Sequence, residues 1–257
     1  HHMDLGLSGK RALVTGSTRG IGRAIAETLL REGASVAICA RSAADVEAAV
    51  AELEELATDS ATVAGGTVDA SDLGSLQAWV ADSIAALGGL DIYVHNTSGK
   101  PQKALEDWSK NFEIDLVSLV GGVAAATDAL TDGGGALVSI GTTAAAEHFG
   151  SGSGSYSALK AAVTNWTLGQ AQVLGAQGVR CNVVSPGPVF VEGGDWDNIA
   201  SAKPEFYEAT VATHPTGRIG NTTDVANAVA FLAGDGASHI NGVNLTVDGG
   251  FLKRVDY

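Results

Sequence analysis

Short apolar runs alternate with longer helical patterns along this 257-residue chain. The apolar runs predict strands at 11–15, 35–40, 61–68, 90–95, 135–140, 179–184 and 243–247. Helical periodicity predicts helices near 20–32, 43–57, 72–87, 106–130, 155–175 and 222–233. Continuous apolar runs are typical of parallel strands that are buried on both faces. The alternation therefore predicts a single doubly wound α/β domain, with a seven-stranded, mostly parallel sheet and helices on both faces.

The expected domain spans residues 4–257, because the start His1-His2-Met3 resembles the remnant of a purification tag. One segment, 188–216, breaks the alternation and contains Phe190, Trp196, Phe206 and Tyr207. An aromatic insertion near the carboxyl ends of strands favours a lid over a small-molecule cleft. The alternative is an aromatic patch that stabilises a contact between subunits.

Composition excludes several classes of function. A net charge of −14 argues against partners that are nucleic acids or anionic membranes. No apolar run reaches the ~20 residues that span a bilayer, and no signal peptide is evident. Cys39 and Cys181 lie in apolar runs and have neither the spacing of metal ligands nor that of a disulfide framework. We expect no metal, and a reducing cytoplasm as the compartment.

A glycine-rich turn follows the first predicted strand and opens the first helix. Backbone N–H groups and the helix dipole at such a turn receive a pyrophosphate. The candidate residues are Gly16, Ser17, Thr18, Arg19, Gly20, Ile21 and Gly22. Their Gly-x3-Gly-x-Gly spacing is longer than that of the commonest dinucleotide fingerprint, so an ordinary strand–helix turn is the alternative.

Tyr156 and Lys160 are expected one helical turn apart on the same face of a helix. A phenol titrates near pH 10 and is a poor acid or base at neutral pH. A neighbouring cation lowers the pKa of a phenol and makes it usable as an acid/base catalyst. The alternative is an exposed lysine beside a half-buried tyrosine.

The turn and the Tyr–Lys pair together resemble the short-chain dehydrogenase/reductase family in its compact, single-domain form, similar to members that reduce 3-oxoacyl groups on acyl carrier protein. The resemblance runs from about Leu7 to Gly250 and includes Asp69-Ala70, His95-Asn96-Thr97-Ser98-Gly99, Ser185-Pro186-Gly187 and Val247-Asp248-Gly249-Gly250. It implies a Rossmann-type domain and an oxidoreductase that interconverts a ketone and a secondary alcohol.

The cofactor that the resemblance implies is NADP(H). The second strand ends in Arg41-Ser42, where NAD-dependent enzymes usually carry an acidic residue, and Arg19 lies in the glycine turn. Two guanidinium groups suit the 2′-phosphate of NADP(H). Further cofactor-binding positions implied by the family are Asp69, Ala70, Asn96, Thr97, Ser98, Pro186, Gly187 and Val189, whereas His95 is interpreted as structural.

The resemblance also implies the catalytic roles. Tyr156 would protonate the carbonyl oxygen, and Lys160 would hold the nicotinamide ribose and lower the Tyr156 pKa. The family also has a hydroxyl that orients the substrate. Matching the sequence forward from the end of the fifth strand places it at Thr142, whereas counting back from Tyr156 by the usual family spacing places it at Thr143; we favour Thr142. The family's fourth residue, an asparagine that supports a water relay, is Asp115 here, and Asn111 is the alternative. An ionised carboxylate accepts hydrogen bonds only and would oppose the field of Lys160.

Alternatives remain for the substrate and for turnover. An acidic carrier protein would need a basic docking patch, to which Lys100 and Lys103 could contribute. A regulator that binds NADPH without turnover is a second alternative. The family usually assembles as a homotetramer, and Ala158, Ala161 and Ala162 would allow close helix packing between subunits.

Overall fold

A parallel, seven-stranded sheet forms the centre of the molecule in a computed structural model that describes residues 4–58, 60–99, 105–149 and 154–255. Its strands are β1 (Arg11–Val14), β2 (Ser35–Ala40), β3 (Val63–Thr67), β4 (Ile92–His95), β5 (Gly135–Ile140), β6 (Val179–Pro186) and β9 (Asn244–Val247). All six strand pairings are parallel, in the order β3-β2-β1-β4-β5-β6-β9. The predicted fold class is confirmed.

Helices cover both faces of the sheet, and the predicted ones are present within a few residues. They are α1 (Gly20–Arg31), α2 (Ala43–Glu54), α3 (Leu73–Leu87), α4 (Leu105–Phe112), α5 (Ser118–Thr131), α6 (Ser155–Leu174), α7 (Asp195–Ala202), α8 (Pro204–Ala212) and α9 (Thr222–Ala233). One face of the sheet packs against α1, α2 and α9, and the other against α3, α5 and α6. The predicted helix 106–130 consists of α4 and α5, joined by a π-helical turn over Glu113–Val117.

By length and composition alone, one described helix, Trp108–Thr131, could cross a membrane, with a mean hydropathy of 1.4 in its most apolar window. Lys110, Glu113, Asp115 and Asp128 interrupt this helix, so it contains no uninterrupted apolar run of ~20 residues. Its buried face belongs to the core, where Leu119, Val123 and Leu130 pack against α3 and the sheet.

The strand order reverses between β1 and β4. In a doubly wound sheet, a crevice opens at such a reversal, outside the carboxyl ends of the strands, and ligands bind there. The glycine turn, Arg41, Asp69, Asn96, Thr142 and Pro186 all lie at or just beyond carboxyl ends of strands. The topology therefore gathers the predicted cofactor and catalytic residues at one edge of the sheet.

The segment 188–216 forms two helices, α7 and α8, after a two-residue strand β7 (Val189–Phe190) that pairs with β8 (Gly220–Asn221). The ring of Trp196 on α7 lies parallel to that of Phe206 on α8, at 6.2 Å between centroids. A Cβ atom added to Gly20 would lie 3.4 Å from Val191. The start of this segment therefore contacts the glycine turn.

Candidate active site

The glycine turn is shaped by positive φ angles and by close backbone packing. Gly16 and Gly20 have φ angles of +62° and +60°, which residues other than glycine rarely adopt. A Cβ atom on Gly22 would collide with the Gly16 carbonyl and the Asn96 amide. Helix α1 begins at Gly20, and its N-cap residue Arg19 makes no side-chain capping bond. The first N–H groups of α1 are thus left for an anion, which fits a pyrophosphate.

Asn96 holds this turn in place. Its Nδ2 donates to the carbonyl oxygens of Gly16 at 2.8 Å and Thr15 at 3.0 Å. The Thr15 hydroxyl accepts the backbone N–H groups of Asn96 and Thr97 at 3.0 and 3.1 Å. The side chain of Asn96 is therefore engaged with the protein backbone, and its contribution to the cofactor site is to fix the turn.

Ser17 faces the protein interior. Its buried hydroxyl donates to the Val14 carbonyl at 2.6 Å and accepts from the Cys39 N–H at 3.3 Å. These bonds tie β1 to β2. Cys39 and Cys181 are free and buried, and burial raises the pKa of each thiol to about 12. The interpretation of both cysteines as small core residues agrees with this geometry.

The adenosine end of the crevice carries exposed arginines. Arg19 and Arg41 are both exposed, and among the described residues neither forms a salt bridge. By contrast, Arg23 on α1, the helix that follows the turn, forms salt bridges with Glu27 at 2.9 Å and Glu52 at 3.0 Å. Arg19 and Arg41 therefore stay available for a phosphate.

Asp69 and Ser42 lie beside Arg41. Hydrogen bonds from the backbone and hydroxyl of Ser71, at 3.0 and 2.7 Å, lower the pKa of Asp69, and the charge of Arg41 lowers it further. Asp69 is thus an ionised acceptor, as required to bind an adenine amino group. The Ser42 hydroxyl caps α2 by accepting from Asp45 N–H at 3.2 Å.

The nicotinamide end is lined by the segment that leaves β6. Gly187 N–H donates to Val247 O at 3.1 Å, and a Cβ atom on Gly187 would lie 2.8 Å from that of Asp248. Val189 is 8% exposed and belongs to the core, so only its backbone can meet a ligand. Pro186 is the last residue of β6.

Thr142 is the hydroxyl that meets Tyr156. It lies two residues beyond the end of β5, is buried, and forms a hydrogen bond with the phenol of Tyr156. Thr143 is also buried but starts the 3-10 turn Thr143–Ala145. The strand therefore positions Thr142, the residue that we favoured, at the catalytic tyrosine.

Tyr156 has a raised pKa. Burial is the main cause; the charges of Asp115 and Asp195 raise it further, while the hydrogen bond from Thr142 opposes the shift. Lys160 does not contribute to this shift, so the expected lowering of the Tyr156 pKa by Lys160 is not found in the protein by itself. The effect of Asp195 was not predicted, and it places the start of α7 within electrostatic range of the phenol.

The side chain of Lys160 is buried and is surrounded by polar groups. Its Nζ donates to the Ile140 carbonyl at 3.0 Å and lies 3.5 Å from Asp115 Oδ1. The side chains of Lys160 and Asp115 are 2% and 0% exposed. Burial lowers the pKa of Lys160, while Asp115 opposes this effect. Asp115 thus forms an ion pair with the ammonium of Lys160.

The carboxylate of Asp115 has two further donors. Ser98 Oγ donates to Oδ1 at 2.8 Å, and Gly99 N–H donates to Oδ2 at 2.9 Å. Ser98, which the resemblance assigns to the adenosine, therefore directs its hydroxyl at the carboxylate of Asp115. Sequence reasoning missed this contact; the signal was a small polar residue three positions beyond the end of β4.

The two residues near Asp115 that the sequence singled out have structural partners. Nε2 of the buried His95 lies 3.1 Å from the Asp115 carbonyl oxygen, and burial lowers the pKa of His95 to about 3. A neutral imidazole that donates from Nε2 fits the structural interpretation of His95. Asn111 Nδ2 donates to Ser155 Oγ at 2.9 Å. Asn111 thus joins α4 to α6, and it is Asp115 that faces Lys160.

Comparison with known proteins agrees with this geometry. Residues 16–252 match a family model described as enoyl-(acyl carrier protein) reductase, a group of short-chain dehydrogenases. The chain is 34% identical to isoepoxydon dehydrogenase of Penicillium expansum, covering 95% of each protein. It is 32% identical to the 3-oxoacyl-[acyl-carrier-protein] reductase of Staphylococcus aureus, covering 94% of this chain and 97% of the relative.

A solved structure is equally similar. A short-chain dehydrogenase from Burkholderia cenocepacia, crystallised in complex with NADP, superposes with a TM-score of 0.86 and 34% identity, covering 95% of this chain and 98% of the other. The resemblance that was drawn from the glycine turn and the Tyr–Lys pair is confirmed. The chain belongs to the short-chain dehydrogenase/reductase family.

Proposed function

We propose that this oxidoreductase is an NADPH-dependent carbonyl reductase that converts a small ketone to a secondary alcohol. The observation that carries the proposal is the partly buried Tyr156 phenol, hydrogen-bonded to Thr142 and one helical turn from Lys160 at the carboxyl edge of the sheet. When bound, the cofactor supplies the hydride. The residues of the chain would orient the carbonyl and provide the proton.

The raised pKa of Tyr156 suits the reducing direction. A phenol with a pKa above its ordinary value is protonated at neutral pH and is ready to donate to a carbonyl oxygen that gains negative charge. The Thr142 hydroxyl lies at the same phenol and would orient the same oxygen. The lid helices, held together by Trp196 and Phe206, would keep water from this buried pair.

A panel of ketones tests the proposal. Purified protein is incubated with NADPH and each ketone, and loss of the cofactor's absorbance is followed. Turnover of a small ketone would support the proposal. NADPH binding without turnover of any compound would contradict it and favour a regulator.

A 3-oxoacyl thioester is the second candidate substrate, and the similarity to the Staphylococcus aureus reductase favours it. The basic residues that could dock an acidic carrier, Lys100 and Lys103, lie outside the described residues. The panel should therefore include one 3-oxoacyl group both on coenzyme A and on a carrier protein. A strong preference for the carrier-bound form would replace our proposal by this second one.

The cofactor preference should depend on Arg41. We expect Arg41→Asp to weaken NADPH binding by about 1.5–3 kcal/mol, because one charge-assisted contact to the 2′-phosphate is lost. NADH binding should be unchanged or stronger. Fluorescence titration with both cofactors measures the change, and Arg31→Asp, an exposed site at the far end of α1, is the control. Equal NADPH affinity in wild type and Arg41→Asp would contradict the assignment.

We also propose a homotetramer. Exposed apolar side chains lie on α4, α5 and α6, with Phe112 46%, Val120 37% and Val173 60% accessible. On α6, Ala158 and Ala161 are exposed while Lys160 is buried, so small residues line its outer face. Such a face favours close packing with a second copy. Light scattering at micromolar concentration should give four times the 25.9 kDa chain mass, and a monomer would contradict the proposal.

A further inference from the structure

We infer that the rings of Phe149, His214 and Phe251 form an aromatic wall of the substrate cleft, and that this wall selects ketones that carry a flat ring. The inference rests on the proposed function and deepens it, because it names the class of ketone that the site would take. Phe149 is the residue of the wall that contacts the substrate, and the other two rings support it.

Three separate segments meet in the aromatic wall. Phe149 lies in the loop after β5, His214 lies two positions after α8, and Phe251 lies four positions after β9. The ring centroid of Phe251 is 4.8 Å from that of Phe149 and 4.7 Å from that of His214. Both distances are typical of aromatic rings in contact, so the three side chains form one surface.

The backbone of the tail after β9 fixes the position of Phe251. The carboxylate of Asp248 accepts the N–H groups of Gly250 and Leu252, each at 2.9 Å. A Cβ atom on Gly250 would lie 3.1 Å from Pro215, so the tail packs closely against the end of the lid segment. The ring of Phe251 is therefore held by its own backbone as well as by its neighbours.

His214 supports the wall from the lid segment. It is 4% exposed, and its Nδ1 donates to the Thr210 carbonyl at 2.8 Å, which fixes the orientation of the ring. The ring lies nearly parallel to that of Phe251, at an interplanar angle of 15°. Its Nε2 is buried and has no hydrogen-bond partner among the described residues. The imidazole thus serves Phe251 as a packing surface.

The wall lies beside the catalytic residues. A Cβ atom on Gly187, at the nicotinamide end of the crevice, would lie 2.8 Å from the Cβ of Asp248, where the tail begins. On the other side, Phe149 lies seven positions after Thr142, which bonds the phenol of Tyr156. The tail therefore bridges from the nicotinamide end to the loop that carries Thr142. A ketone whose oxygen is held by Thr142 and Tyr156 would extend its substituents toward the wall.

Phe149 keeps one side of its ring free. It is 43% exposed although Phe251 packs against it, with 30° between the ring planes. It belongs to the loop after β5, and not to the face of α4, α5 and α6 that we propose for subunit contacts. A free aromatic ring beside a cleft favours a ligand group that can stack on it. An aryl ketone therefore fits the wall better than an open-chain ketone of equal length.

The test uses two ketones with equal numbers of carbon atoms, acetophenone and 2-octanone. Wild type is compared with Phe149→Leu, which keeps an apolar side chain without a ring, and with Phe149→Tyr, which keeps the ring. We expect wild type to have the higher kcat/KM for acetophenone, and Phe149→Leu to reduce this preference by about 3–10-fold, mainly through KM. Phe149→Tyr should retain the preference. Val243→Ala, directly before β9 and 38% exposed, is the control.

Four results would overturn the inference. Wild type that reduces 2-octanone better than acetophenone would show that the wall does not select a ring. An unchanged preference in Phe149→Leu would exclude stacking on Phe149, and an equal loss with both ketones would indicate a structural effect. A smaller assembly of Phe149→Leu in light scattering would make Phe149 a subunit contact. Reduction of any ketone by wild type leaves the proposed function standing in these cases, whereas absence of turnover with every ketone would overturn both.

Discussion

Tyr156→Phe is expected to lower kcat for ketone reduction by about 10²–10⁴-fold, the usual contribution of a positioned proton donor. NADPH affinity should be unchanged, because the substitution removes one hydroxyl that bonds Thr142 and leaves the glycine turn and arginines intact. Steady-state kinetics and fluorescence titration measure the two quantities. The control is Tyr93→Phe, whose hydroxyl is buried in the core without a hydrogen-bond partner among the described residues.

The rates of reduction and oxidation should also depend on pH in opposite ways. The raised Tyr156 pKa lies above the ordinary value of 10.0, so the phenol stays protonated through neutral and mildly alkaline pH. Reduction should hold its rate over this range, and oxidation of the alcohol, which needs the phenolate, should accelerate as pH rises. A Tyr156→Phe enzyme with wild-type kcat would show that another group supplies the proton.

Asp115→Ala is expected to destabilise the fold by about 3–5 kcal/mol near neutral pH, because it leaves the Lys160 ammonium buried without its counter-charge. Urea unfolding measures the loss of free energy. The double variant Asp115→Leu with Lys160→Met removes both charges and should recover most of the stability, although it will be inactive. A loss that is equally large in the double variant would mean that packing, and not charge, is responsible.

The stability of Asp115→Ala should also depend on pH. Burial already places the folded-state pKa of Lys160 below its ordinary value of 10.5, and removing Asp115 lowers that pKa further. At pH values between the folded-state and unfolded-state pKa of Lys160, the unfolded chain binds more protons than the folded chain. The free energy of unfolding therefore rises with pH in this range. The penalty should therefore shrink as pH rises from neutral toward the ordinary lysine pKa of 10.5. A penalty that is constant over this range would contradict a buried, titrating lysine.

Much of the fold was predictable because local signals agree with the tertiary structure. Strand β5 and helix α9 have the predicted bounds, 135–140 and 222–233, since a continuous apolar run and a capped amphipathic pattern mark them. The π-helical turn over Glu113–Val117 was not predicted. Nothing in its sequence, Glu-Ile-Asp-Leu-Val, departs from helical periodicity, so the extra residue per turn is visible only in the structure.

The site was predictable to the level of which residues meet, and less so for what each does. Thr142 lies just beyond the end of β5, and Tyr156, Lys160 and Asp115 meet it because α6 packs against both β5 and the π-helical turn. The raised pKa of Tyr156 and the outward contact of Ser98 depend on burial and on side-chain direction, which a motif does not contain. Between Thr142 and Thr143, it is Thr142 that bonds the Tyr156 phenol, which supports the count made from β5.

The π-helical turn separates two registers within one helix. On its carboxyl side, Leu119, Val123 and Leu130 of α5 belong to the core, while Asp115 lies inside the turn and faces Lys160. A π-helical turn holds about one residue more than an α-helical turn, so deleting one residue here would convert it to regular α-helix with little rotation of α4 against α5. Such a deletion would exchange the side chain presented to Lys160 while α5 keeps its packing. A one-residue deletion in this turn could thus replace the side chain beside Lys160 without any substitution.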